Sequence, residues 1–127
     1  MIVVDTHALL WWANADPLLS SAAEDAIANA DFVAVSAITA WETAILRNRR
    51  RIEIDRDVLP WLSDLTATRG LLVLPLTIEI GVLAAEFHDI LRDPIDCLIA
   101  ATALTHHAPL VTKDDRIRNS GVVETIW

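Results

Sequence analysis

The sequence contains a single cysteine, Cys97, so no internal disulfide can form, and a reducing, cytoplasmic setting is the expectation. No apolar stretch is longer than Leu71 to Leu76, far short of the roughly eighteen residues that a membrane helix requires. Asp5 and His7 interrupt the N-terminus where a secretory signal would need an apolar core. Glycine occurs only at Gly70, Gly81 and Gly121, which excludes a Gly-rich phosphate loop of the Walker or dinucleotide type. There is no Gly-x-Ser-x-Gly elbow for a serine nucleophile, and Cys97 has no convincing His partner. Repeats, low-complexity tracts and linkers are absent, so residues 1–127 are expected to form one domain. Positive charge is scarce too. Ten Lys and Arg stand against 18 Asp and Glu, a net charge of −8, which argues against holding nucleic acid by bulk electrostatics.

Apolar residues, in contrast, make up 54% of the chain and charged ones 22%, a balance that points to a surface covered by a partner or a second subunit. Runs short enough to be buried strands recur at Ile2 to Val4, Phe32 to Val35, Leu71 to Leu74 and Leu110 to Val111, with a weaker one at Val122 to Ile126. Helical patterns lie between them. Ser21 and Glu24 have capping-box spacing for a helix to about Ala30, and Ile38, Trp41, Ile45 and Leu46 mark an apolar face. Further helices are predicted over Val58 to Thr68, Thr77 to Phe87 and Pro94 to His106. This alternation predicts an α/β sandwich with a central, mostly parallel sheet of four or five strands flanked by helices. The continuously apolar strands fit a sheet covered on both faces.

Open α/β sheets bind ligands beyond the carboxyl ends of their strands, and acids stand there. Asp5 follows the first strand, Asp114 and Asp115 follow the fourth, Glu42 lies in the helix after the second, and Asp96 lies in the first turn of the helix at Pro94. Each has a plain structural reading. Asp5 can cap a helix starting at Thr6 or His7, Glu42 stands at capping-box spacing from Thr39, Asp93 before Pro94 is a strong N-cap signal, and Asp96 suits a helix dipole. Gathered in one pocket, however, carboxylates at ~5 Å repel by about 3 kcal/mol per pair at an effective dielectric of about 20. Such a cluster protonates or holds a cation, and oxygen donors without an organised Cys or His set point to Mg²⁺ or Mn²⁺ rather than Zn²⁺. The basic cluster of Arg47, Arg49, Arg50 and Arg51 is a candidate for RNA backbone contacts, against the alternative of a helix C-terminus attracting cations. Trp11, Trp12, Trp41, Trp61 and Trp127 are expected to be mostly core. Adjacent Trp11 and Trp12 cannot share a direction, so one is expected at an interface.

Four segments in order, Val3-Val4-Asp5-Thr6-His7-Ala8-Leu9-Leu10-Trp11-Trp12, Ser36-Ala37-Ile38-Thr39-Ala40-Trp41-Glu42, Asp93-Pro94-Ile95-Asp96-Cys97-Leu98-Ile99-Ala100-Ala101-Thr102-Ala103 and Leu110-Val111-Thr112-Lys113-Asp114, resemble PIN-domain ribonucleases of the VapC toxin type. The resemblance covers essentially the whole chain. It implies metal-dependent hydrolysis of RNA phosphodiesters, with Asp5, Glu42, Asp96 and Asp114 as the acidic quartet for Mg²⁺ or Mn²⁺, Thr6 supporting the first acid and Asp93 positioning Asp96. It also implies a VapB-like antitoxin that blocks the site, and a homodimer. Cys97 stands where many relatives have Arg, and Leu91-Arg92 where many have His, which bears on substrate contacts and not on the acids. Asp115 is an alternative to Asp114. Two other classes remain to be separated: a receiver-like phosphoacceptor domain, with Lys113 after a late strand, and a non-catalytic PIN-like interaction module. The receiver needs an acid ending its central strand, and Leu71 to Leu74 runs into Pro75 without one.

Overall fold

In a computed structural model describing residues 1–127, five strands and eight helices alternate along the chain. Strand β1 (Ile2–Val4) leads into α1 (Thr6–Ala13) and α2 (Ser21–Asn29), and β2 (Val33–Ser36) into α3 (Ile38–Asn48) and α4 (Val58–Arg69). After β3 (Leu72–Leu74) come α5 (Ile78–Glu86), the short α6 (His88–Leu91) and α7 (Pro94–Thr105). The chain closes with β4 (Leu110–Val111), α8 (Asp115–Ser120) and β5 (Thr125–Ile126). All five strands pair in parallel in the order β3-β2-β1-β4-β5. The expected α/β sandwich is therefore present, with a sheet that is wholly parallel.

Strand alternation divides the core into two layers. Val3 pairs with Ala34 and Leu110, and these three face one cluster with Ile80, Ala84, Leu91, Ile99 and Ile117. Ile2, Val4, Val33, Val35 and Val111 face the other, against Leu9 of α1, Ile27 of α2 and Trp61, Leu62 and Leu65 of α4. Side chains that alternate between faces at a period of two explain why the central strands are apolar throughout: both sides of the pleat are covered.

Several expectations are corrected in detail. Strand β3 lies at the edge, with Leu72 39% and Val73 48% exposed, so its apolar run does not mark a strand covered on both faces. The strand at the centre is β1, and Asp5 follows it directly. The missing acid after Leu74 is thus no argument against a receiver. The strand order is, because receiver domains follow 2-1-3-4-5 whereas this sheet runs 3-2-1-4-5. Ser20, not Ser21, caps α2 by accepting from the Ala23 amide, one residue earlier than the Ser21/Glu24 spacing implies. Of the tryptophans only Trp61 is fully buried, and Trp41 is 52% exposed because its side of α3 is not covered by another element. Trp11 and Trp12 diverge as expected: Trp11 meets Trp127, while Trp12 lies beneath the Arg69 guanidinium at 4.9 Å.

Candidate active site

Parallel pairing puts every strand's carboxyl end on one edge, and helices that return antiparallel to the strands bring their N-termini to the same edge. The chain runs outward from β1 through β2 to β3, then crosses to the other side for β4 and β5, so a crevice opens where β1 meets β4. Asp5 leaves β1 on one side of it, and Asp114 follows β4 on the other. Asp96 arrives on the first turn of α7, and Glu42 from α3.

All four carboxylates line one small pocket with Thr6, His7, Asp93, Ile99 and Arg116. The cap readings of Asp5 and Asp93 hold as well, and Asp114 proves to be a third cap. Asp5 caps α1 by accepting from the Ala8 amide at 2.6 Å. Asp93 caps α7, accepting from Ile95 at 2.8 Å and Asp96 at 3.4 Å, which fixes the turn that carries Asp96. Asp114 caps α8, accepting from Arg116 at 2.7 Å and Ile117 at 3.3 Å. In each case a single oxygen, Oδ1, takes the amide bonds. Asp115 points outward, its side chain 81% exposed and paired with Arg118.

Glu42 does not form a capping box with Thr39, since α3 begins at Ile38 without a side-chain cap. Its Oε2 instead accepts from the Thr6 hydroxyl at 2.5 Å. Thr6 therefore supports the second acid and not the first, a correction that follows from its place at the start of α1, where its hydroxyl reaches across to α3.

The electrostatics are those of crowded anions. Burial raises the Asp5 carboxyl above its ordinary value, against the lowering pull of the Ala8 amide, the Thr112 hydroxyl and His7. Asp96 is pushed up to about 7, first by burial and then by Asp93 and Asp114, with Glu42 adding to the same effect and Arg116 opposing it. The Arg116 guanidinium lies 3.6 Å from Asp96 and 3.5 Å from Asp114. Sequence reading missed this residue; its position two places after an acid that caps a helix was the available signal.

No three Asp, Glu, His or Cys side chains close on a common point as a complete ligand cage. The donors nevertheless fit a hard divalent ion that retains several waters and takes only one or two carboxylates directly. They are all oxygens, the neighbouring Asp93, Asp114 and Glu42 help hold the Asp96 carboxyl above its ordinary value, and the capped aspartates each offer one oxygen free of amide bonds.

The basic cluster divides. Arg51 lines a groove with His7, Trp11 and Glu42, which continues from the acidic pocket. Arg47 and Arg50 line a neighbouring depression, where Arg47 is paired with Asp57 at 3.2 Å. Arg49 is the C-cap of α3, as the helix-end alternative requires, and lines neither.

Residues 2–122 match the PIN domain family. The chain is 39% identical over 120 residues to the Ribonuclease VapC22 of Mycobacterium tuberculosis, covering 93% of this chain and 90% of that protein. Its fold resembles VapBC2 of Rickettsia felis bound to a promoter DNA fragment, with a TM-score of 0.69 at 18% identity over 98% of this chain and 97% of that one. It also resembles a toxin-antitoxin complex from Klebsiella pneumoniae, with a TM-score of 0.67 at 18% identity over 97% and 95% of the two chains.

Proposed function

Because the chain belongs to the PIN-domain family, we propose that it is a metal-dependent endoribonuclease and the toxin of a VapBC-type toxin-antitoxin pair. The observation that carries the reading is the convergence of Asp5, Glu42, Asp96 and Asp114, from four separate parts of the chain, on one pocket at the sheet's carboxyl edge. Neither alternative accounts for it as well: strand order removes the receiver, and a purely interacting module has no need of mutually destabilising acids.

Mg²⁺ or Mn²⁺ would be held by Asp5 and Asp96, with Glu42 and Asp114 beside them, and would supply Lewis acidity toward the phosphoryl group and an activated water. The protein's own part is positional. Helix caps lock Asp5 and Asp114, Asp93 sets the turn that presents Asp96, and Thr6 holds Glu42. Three helix N-termini, those of α1, α7 and α8, face the pocket and favour anionic groups there, which include a substrate phosphate. The reaction is hydrolysis of a phosphodiester by water, without a covalent protein intermediate.

The partner is a VapB-like antitoxin carrying a basic residue toward the acids, a role for which the net charge of −8 is complementary. A homodimer and a cytoplasmic setting accompany this reading, and no helix is long and apolar enough to cross a membrane. The test is Asp5→Asn, measured by Mn²⁺-dependent cleavage of total RNA alongside denaturant unfolding. Asparagine keeps the α1 cap and removes the charge. Cleavage is expected to be abolished while unfolding stays cooperative; unchanged cleavage would remove the acidic pocket from the mechanism.

A further inference from the structure

The groove that continues from the acidic pocket past His7 and Glu42 contains an aromatic assembly that the hydrolytic chemistry does not use. The Trp11 ring meets His7 on its pocket side, with centroids 5.8 Å apart and planes tilted by 45°. On another side it meets Trp127 at 5.6 Å and 54°. The Lys113 ammonium stands over it, 5.5 Å from the centroid. Trp11 is half-buried, while His7 and Lys113 are exposed. His7 and Trp11 thus line the groove, while Trp127 and Lys113 pack against Trp11 from outside its lining.

We propose that Trp11 and His7, which line this groove together, form a platform on which a nucleobase next to the scissile phosphate stacks. The proposal rests on the ribonuclease reading and adds to it two side chains that contact the substrate's base rather than its phosphate.

Charge is the second line of argument. A chain of net charge −8 gains little from general attraction to RNA, and the groove itself carries Asp16 and Glu53 beside Arg51. A strand held there needs a contribution that does not depend on net charge. Stacking on an aromatic side chain supplies about tenfold to a hundredfold in affinity per base, and tryptophan's broad ring accepts any base face. His7 lines both spaces and is two residues from Asp5, so a base on this platform belongs to a nucleotide adjacent to the one whose phosphate enters the pocket.

The experiment uses the full chain carrying Asp5→Asn, in which cleavage is expected to stop, and two 5′-labelled probes: hexa-adenylate and a hexameric abasic ribose-phosphate. Fluorescence anisotropy is expected to show hexa-adenylate bound about tenfold or more tighter than the abasic strand. Adding Trp11→Ala should remove that advantage, Trp11→Phe should restore most of it, and His7→Ala, at an exposed position, should lose part of it. Thermal unfolding of each variant checks the fold, and Trp11→Phe with His7→Ala keeps the test intact if Trp11→Ala does not fold.

Equal binding of base and abasic strands, or hexa-adenylate affinity indifferent to both positions, overturns the platform. If those substitutions instead weaken only the binding of a purified antitoxin, the rings are a protein-docking surface and the proposal fails. Base-dependent binding in the variant, with no RNA cleavage by the native chain, would refute the ribonuclease reading and leave the platform standing.

Discussion

Replacing Asp96 by asparagine should stabilise the metal-free protein, and only above a definable pH. In the folded chain the Asp96 carboxyl titrates at about 7, against an ordinary value of 3.8, because burial and the nearby Asp93, Asp114 and Glu42 disfavour its charge. An acid raised by folding costs stability when ionised: the cost is absent below the unfolded value, grows as pH rises through 3.8, and is complete above 7. The separation corresponds to about 4 kcal/mol, an upper figure because the neighbouring acids share the titration. Asparagine has the same shape and no charge. Urea denaturation of EDTA-treated protein should therefore show Asp96→Asn gaining on the parent by about 2–4 kcal/mol more at pH 8 than at pH 4, where most of the cost has not yet developed. Adding Mn²⁺ should stabilise the parent at pH 8 and reverse the order. A stability difference that is the same at both pH values would refute the picture of Asp96 as a charge forced into an anionic pocket.

Two further substitutions separate positioning from chemistry. Asp93→Ala, measured at pH 5 by the same denaturation, should lose about 1 kcal/mol with the amide bonds of Ile95 and Asp96, while Asp93→Asn should lose little. Asp114→Asn should strongly reduce Mn²⁺-dependent RNA cleavage, whereas Asp115→Asn should leave it unchanged, because the Asp115 side chain points into solvent beside Arg118.

The sequence made the central strands, five of the helices and the acidic edge legible because those features are local: apolar runs of strand length, Pro94 after Asp93, and acids just past the strands. What it hid depends on contacts between distant residues. Which strand is central is decided by pairing, so β1 and not β3 takes that place. Thr6 pairs with an acid 36 residues away, a partnership no spacing rule encodes. Arg116 follows Asp114 by two places, but its reach to Asp96 on a different helix appears only in the folded chain. Trp41 carries the right period for a buried face, but periodicity marks a stripe without saying what will cover it. The choice between cap and site for Asp5, Asp93 and Asp114 proved to be no choice, since each does the first while lining the second.

That double duty constrains how such a chain can change over evolutionary time. Most replacements of Asp5 or Asp114 remove a helix cap together with the charge, so under the proposed mechanism they cost fold and chemistry at once. Asparagine alone keeps the shape and an oxygen acceptor of the same reach, with serine the next nearest cap. A descendant that abandons hydrolysis but retains the scaffold should therefore carry asparagine or serine at these positions, and not an arbitrary residue. Aspartate at both, as here, is what continued selection for the charge itself would leave.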